Sequence, residues 1–399
     1  MRILIITDAI PYPMVSGAPL RICNLLCRIA RQHQVWLAAP LGTPEGAESV
    51  SHVQEFCYRV ETANLRRRHP LMHLPGLLRY ALAGKPLELR FHYSEELTHK
   101  IQHLASSVDF DIVQIEHSHM ALYLEALPPN AHCRTVLMFH DIAFSKYARI
   151  FRFEWRLDSK IRALLYSRMM RRWEPRYAER FGRCITVSEA DRRLLLEANA
   201  RLQVDVVPNG VDTKVYRPLS LESASPSLLY IGNMSYSANV DAAIFFSREI
   251  LPHIRRMIPD VELWIVGRDP TAEVRQLSGD TVHVTGRVDS VVPYYSRSTV
   301  CVVPLRAGGG TRLKILEAMA LGRPVVSTNI GCEGLDVIDG EHLLIADSPE
   351  QFAEKTVRLL TDKTLYQRIT TNALQLVVTR YDWDVIARQL MQIYAEMAE

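Results

Sequence analysis

The sequence predicts an α/β protein made of two doubly wound, parallel-sheet domains that face each other across a cleft. Two observations carry that prediction. Short, nearly continuous apolar runs alternate with stretches of helical spacing, the pattern of strands buried on both faces of a parallel sheet. The alternation breaks at the Ser- and Pro-containing stretch 216–226 (YRPLSLESASP) and then restarts. The chain of 399 residues has room for two domains of ordinary size.

The first expected strand is RILIITD, ended by Asp8. A Pro/Gly loop, AIPYPMVSGAP, leads to a helix with apolar residues at Leu20, Leu25, Leu26 and Ile29. The runs HQVWLAAPL, DIVQIEH, RTVLMFHD, RCITVSE and VDVVPNGVD supply further strands of a domain set at 1–215. Beyond the 216–226 linker come SLLYIGNM, VELWIVGRD, VHVTGRV, TVCVVPL, RPVVSTN and EHLLIAD, the strands of a domain at 227–380. The amphipathic segment 381–399 is expected to be a helix packing back on the first domain. Ligands of such sheets bind beyond the carboxyl ends of the strands, beside helix N-termini.

Composition is that of a globular protein, with 48% hydrophobic and 23% charged residues. No apolar run reaches the roughly 18 residues of a membrane-spanning helix. The N-terminal MRILIITD lacks a small-residue cleavage site and reads as a strand, not a signal peptide. Seven cysteines, an odd number without a Cys-x-x-Cys pair, point to free thiols in a reduced cytoplasm. Charge is uneven: 25 Lys+Arg face 17 Asp+Glu over residues 1–185, and 12 face 4 over 146–183. That excess suggests an anionic partner for the first half. Cations interleave with aromatics in RMMRRWEPRYAERFGR, where Trp173, Tyr177 and Phe181 share one helical face. The readings are a solvated helix face, with the aromatics in the core, or attachment to a membrane surface at the cytoplasmic leaflet. No recognition motif for nucleic acid accompanies the patch.

The chemistry-bearing stretch is GGGTRLKILE. Gly308, Gly309 and Gly310 let backbone approach a ligand closely. The helix starting near Thr311 offers free N–H groups to an anion, and Arg312 can fork onto phosphate oxygens. The plainer reading is a tight turn with surface cations. The spacing is not that of a P-loop. Glu317 is either an acceptor for two adjacent sugar hydroxyls or a surface residue of an amphipathic helix. In IEHSH, Glu116, His117 and His119 offer a strand-end acid and an H-x-H pair. Further metal ligands are not near in sequence, so no metal is expected, and Glu116 and His117 are read as facing an acceptor. Asp109 and Asp111 precede their strand and read as a turn.

VPNGVD, YIGNMSYSANVDAA, ELWIVGRD, VTGRVDSVVPYYSRSTVCVVPL, GGGTRLKILEAMALGRPVVST and GCEGL occur in that order. Together they resemble the retaining, nucleotide-sugar-dependent glycosyltransferases of family 4, with the GT-B fold, in the form associated with bacterial exopolysaccharide synthesis. The resemblance implies a cytoplasmic hexosyltransferase at the inner face of the membrane, with a hydroxyl acceptor such as a lipid-linked glycan. It implies no metal and no cofactor beyond the nucleoside diphosphate sugar. His140, at the end of LMFHDIAF, would lie near the transferred sugar and act in catalysis; its plain reading is a cap beside Asp141. Gly17 would bring backbone to the donor or acceptor. Arg287 and Val288 would meet the base, Glu317 the ribose, and Gly308 to Arg312 the diphosphate.

The sequence departs from the family at three positions. The earlier of two family glutamates would fall at Gly309. A basic pair that meets the diphosphate would fall at Asn233 and Asn239. Arg312, or failing it Lys314, is expected to compensate. These losses leave open a nucleotide-sugar-binding or scaffolding subunit without activity, and the shared fold leaves open a GT-B epimerase.

Overall fold

The computed structural model describes residues 1–14, 17–41, 46–64, 86–153, 156–220, 226–308 and 310–399. They form two compact units, Met1–Pro208 with Ile386–Glu399, and Asn209–Val385. The first unit is left at 208, ahead of the expected 215, and the second runs to 385, past the expected 380.

Unit 1 holds seven strands: β1 (Arg2–Ile6), β2 (Gln34–Leu41), β3 (Arg59–Asn64), β4 (Ile112–Glu116), β5 (Thr135–Phe139), β6 (Arg183–Thr186) and β7 (Val204–Val206). They pair in parallel in the order β3-β2-β1-β4-β5-β6-β7. Every residue of β4 and β5 is buried; β5 is apolar apart from Thr135, whereas β4 carries two polar side chains, Gln114 and Glu116, into the interior. The sheet reverses its winding between β1 and β4, so their carboxyl ends flank a crevice suited to ligands. β3 was not expected. RVETAN buries only Ala63, so this edge strand carries little apolar signal.

Unit 2 holds β8 (Ser227–Ile231), β9 (Glu262–Val266), β10 (Val282–Val284), β11 (Val300–Val303), β12 (Val325–Ser327) and β13 (Leu344–Ile345). Their parallel order, β10-β9-β8-β11-β12-β13, places the reversal between β8 and β11. Asn233 lies in the loop after β8, Asn239 on the helix Ser237–Phe245 that follows it, and the glycine run in the loop after β11.

The last helix spans Trp383–Ala398 and belongs to unit 1 from Ile386 onward. Gln389 Nε2 donates to the Val206 carbonyl at 2.8 Å, and Tyr394 OH donates to Gln114 Oε1.

One expectation is corrected and one open reading is decided. The described part of the presumed linker, 216–220, is fastened to unit 2. Buried Arg323 donates to the carbonyls of Leu219 at 3.1 Å and Ser220 at 2.8 Å, and to Tyr295 at 2.7 Å. Leu219 N also donates to Leu321 O. Residues 221–225 of that linker lie outside the described residues. Trp173, Tyr177 and Phe181 are all buried in the core of unit 1, so none is free to enter a membrane. Trp173 and Tyr177 share the inward face of the helix Leu157–Ala178, and Phe181 follows just beyond its end.

Candidate functional site

In unit 1, chemistry-bearing groups collect at the carboxyl ends of β1, β4 and β5. Glu116 ends β4, and His140 follows β5, its parallel neighbour. His140 Nε2 lies 2.6 Å from Glu116 Oε2, and Gln114 Nε2 donates to Glu116 Oε1 at 2.5 Å. The carboxylate accepts both bonds, so Nε2 of His140 carries a proton, and in the neutral form of the ring Nδ1 is the acceptor nitrogen. Glu116 was read as facing an acceptor; it is instead buried and committed to orienting His140.

The charge of Glu116 is answered by Arg21, fully buried on the helix Gly17–Ile29. Burial pushes the Arg21 guanidinium down to about 10, and the charges of Glu116 and Tyr394 oppose that shift. Arg21 Nη1 donates to Pro208 O at 2.6 Å and Nη2 to Val207 O at 2.8 Å.

The His117 ring stacks on His140 at 4.0 Å between centroids and on His119 at 4.9 Å. His119 Nε2 reaches Asp8 Oδ2 at 3.2 Å. Burial and then the charge of His140 push the His117 imidazole well below its ordinary value, against the pull of Asp8. Burial, then the charge of His119, brings His92 down to about 4. For Asp8, burial acts upward, but the His119 hydrogen bond and the surrounding imidazoles outweigh it and hold the carboxyl well below its usual range.

Glu174 lies beneath the segment that follows His140. Its carboxyl accepts from Ala143 N at 3.3 Å and Phe144 N at 3.4 Å. Burial pushes it up to about 7, against the downward pull of the hydrogen bonds from Ser118, Ala143 and Phe144. The fold therefore binds a proton that the unfolded chain has released. That stabilisation is complete below the ordinary carboxyl value and is lost as pH rises through about 7. Over the interval it amounts to ~3 kcal/mol. Glu174→Gln should remove this slope, so urea denaturation of wild type and variant should diverge between pH 4.5 and 7; parallel curves would sink the assignment.

In unit 2, the helix Leu313–Ala320 begins directly after the glycine run, with Arg312 as its N-cap residue. Gly308 has φ 119°, a backbone conformation that favours glycine, and a Cβ there would displace the Arg312 guanidinium, whose Nη2 lies 2.9 Å from that position. Arg312 Nη1 donates to Gly310 O at 2.8 Å. The Thr311 hydroxyl is buried and makes no hydrogen bond. Gly309 lies outside the described residues.

Lys314, the second choice behind Arg312, reaches the segment that follows β8. Its Nζ is 3.3 Å from Asn239 Oδ1 and 4.7 Å above the Tyr230 ring. An ammonium from the glycine-run helix thus reaches Asn239, one of the two positions where the family's cations would fall. Asn239 is held for this by Tyr230 OH at 3.1 Å and by its own Nδ2 on Asn233 O at 2.9 Å. Burial, then the charge of Arg312, pushes Lys314 down to about 7, and Glu317 opposes the shift. Glu317 lies one turn further on, half-buried, with Tyr295 OH at 3.5 Å from Oε2. Burial raises its carboxyl, against Lys314 and Tyr295.

Arg287 and Val288 lie in the loop after β10; Arg287 is exposed and Val288 packs on the core. Gly17 is the exposed first residue of its helix, and residues 15–16 before it lie outside the described residues. Arg21, Asp8, His92, Gln114 and Tyr394 were missed by sequence reasoning. Asp8 alone left a signal, as an acid ending a strand.

The chain matches the sequence profile of Glycosyltransferase Family 4 over residues 15–215 and that of Glycosyl transferases group 1 over 225–362. It is 28% identical over 245 residues to the phosphatidyl-myo-inositol mannosyltransferase of Mycobacterium leprae, a match covering 59% of this chain and 63% of that one. The match therefore takes in less than two thirds of that relative's length. In structure it resembles a sucrose-phosphate synthase of Thermosynechococcus elongatus, with TM-score 0.72, 20% identity and 100% and 99% of the two chains covered. It also resembles Anabaena HepE in complex with UDP-glucose, with TM-score 0.67, 18% identity and 99% and 100% covered.

Proposed function

Because this chain belongs to glycosyltransferase family 4 and has its two-unit GT-B fold, we propose that it transfers a sugar from a nucleoside diphosphate sugar to a hydroxyl acceptor, with retention at the anomeric carbon. The observation that carries the proposal is the arrangement of Lys314, Arg312 and Glu317 around a helix N-terminus at the β8–β11 reversal. Free amides and two cations suit a diphosphate. Glu317, a turn deeper, suits the two ribose hydroxyls. Protein cations and amides neutralise the leaving diphosphate in this scheme, so no metal acts on it. Unit 1 supplies His140 and the acceptor site. The acceptor we propose is a lipid-linked glycan of a surface polysaccharide, met at the inner face of the cytoplasmic membrane.

A thermal-shift and calorimetric panel of nucleosides, nucleoside diphosphates and their sugars tests the donor half. Glu317→Ala should weaken the best diphosphate and its sugar alike, by roughly 1.5–3 kcal/mol. Lys314→Met should weaken diphosphates more than nucleosides. An anion binds the protonated amine, so wild-type affinity should fall as pH rises above the Lys314 value of about 7, and the variant should lose that dependence. Equal nucleotide affinity across wild type and both variants would end the proposal. Sugar-nucleotide binding with neither transfer nor hydrolysis would leave only a binding role.

The membrane half rests on an exposed stripe. Leu157, Ile161, Leu165 and Met169 are 72%, 51%, 55% and 38% exposed and recur every fourth residue of one helix. Exposed Arg162, Arg168, Arg171, Arg172 and Arg176 flank them. Apolar side chains edged by arginines suit the interface of an anionic bilayer, where each cation contributes about 1 kcal/mol. Among the described residues no helix is long and apolar enough to cross a membrane. Co-sedimentation should require anionic vesicles, fade with salt, and be lost in Ile161→Asp/Leu165→Asp. Equal pelleting with neutral vesicles, or lipid-free dimerisation abolished by the same variant, would reassign the stripe.

A further inference from the structure

Three groups at the β1–β4 reversal of unit 1 have no part in the transfer scheme. Asp8 follows β1, His119 follows β4, and His92 ends a 3-10 turn, Leu87–His92. One ligand atom from each lies within 4.8 Å of the other two. We propose that Asp8, His92 and His119 bind one divalent transition-metal ion, with Zn²⁺ the best match.

The donor set selects the class of ion. Two imidazoles and one carboxylate suit zinc and its first-row neighbours, whereas magnesium and calcium prefer oxygen ligands throughout. Spacing agrees. A tetrahedral ion with bonds near 2.0–2.1 Å holds its ligands roughly 3.3 Å apart. Asp8 Oδ2 and His119 Nε2 already stand 3.2 Å apart. All three side chains are half-buried, so small rotations can bring the third ligand in, and a fourth position stays open to water or a substrate oxygen.

Two independent features of His117 support the site. Its Nε2 is buried, makes no hydrogen bond, and lies 3.7 Å from Asp8 Oδ1. A carboxylate that turns toward an ion brings its second oxygen within reach of that nitrogen, and metal-ligating carboxylates are normally held in this way. His117 also has φ 70° and ψ 140°, an uncommon backbone conformation that persists where the surroundings impose it. The H-x-H pair in sequence gave no such expectation, because its partners come from two distant segments.

The test uses untagged full-length protein treated with a chelator and then titrated with Co²⁺, whose visible bands report ligand geometry. One equivalent should bind tightly with the bands of a four- or five-coordinate ion, and Zn²⁺ should displace it. The bands should vanish in Asp8→Asn and in His119→Gln, each checked for folding by circular dichroism, and persist in His33→Gln. Mg²⁺ should not compete. Absence of stoichiometric binding to wild type overturns the proposal. So do bands of equal strength in the folded Asp8→Asn and His119→Gln proteins, which would assign the ion to other histidines.

Discussion

His140→Ala should reduce turnover by about 10²–10³-fold while nucleoside diphosphate affinity stays at the wild-type value. The magnitude is that of removing one preorganised polar group from the position where charge develops. Glu116 holds Nε2 of His140 at 2.6 Å, which leaves Nδ1 as the nitrogen that can accept in the neutral ring. An electron-rich nitrogen, fixed without reorganisation, stabilises positive charge on an oxocarbenium-like sugar more than it stabilises the neutral ground state. Such an interaction lowers kcat and kcat/KM together when it is deleted. Glu116→Gln keeps an acceptor oxygen but removes the charge, so it should cost less than His140→Ala. Turnover of His140→Ala within twofold of wild type would leave the ring a structural role. A matching loss of donor affinity would place it in binding instead.

Both sheets could be read from sequence because most of their central strands are continuous apolar runs, as in ILII, VLMF and VCVV. Periodicity failed at β3, where polar side chains line an edge, and at 216–220, where composition suggested a linker. What holds that stretch is Arg323, over a hundred residues away in sequence, donating to its carbonyls. The donor site proposed in unit 2 was legible because the glycines, Arg312, Lys314 and Glu317 fall close together on one loop and helix. Their ranking was not, since only the fold brings Lys314 to Asn239. The unit 1 site was the less legible. Its carboxylate, imidazoles, amide, phenol and guanidinium come from six segments, and no local spacing announces such a set. The basic residues of the Leu157–Ala178 helix are plain in sequence, whereas its exposed apolar stripe has the same four-residue spacing as the buried aromatics and is not told apart from them by periodicity.

Arg21→Met should destabilise unit 1 by about 3–5 kcal/mol, the range for stripping one member from a buried charge pair. Against a total of roughly 5–15 kcal/mol for an ordinary domain, that is a large share. Methionine fills much of the space, so the loss comes from polar groups. The carbonyls of Val207 and Pro208, at the exit from β7, lose the donors that hold them at 2.8 and 2.6 Å. Glu116 loses the buried cation that offsets its charge. Arg21→Lys should recover only part, because an ammonium cannot fork onto two carbonyls. The diagnostic measurement is a double-mutant cycle in urea. If Arg21 compensates Glu116, Arg21→Met/Glu116→Gln should be clearly less damaged than the sum of its single variants, because the double change leaves no unmatched charge. Additivity within about 0.5 kcal/mol would mean the two act independently. Arg21 would then serve the β7 carbonyls alone, and the alignment of His140 would rest on Gln114 and Tyr394.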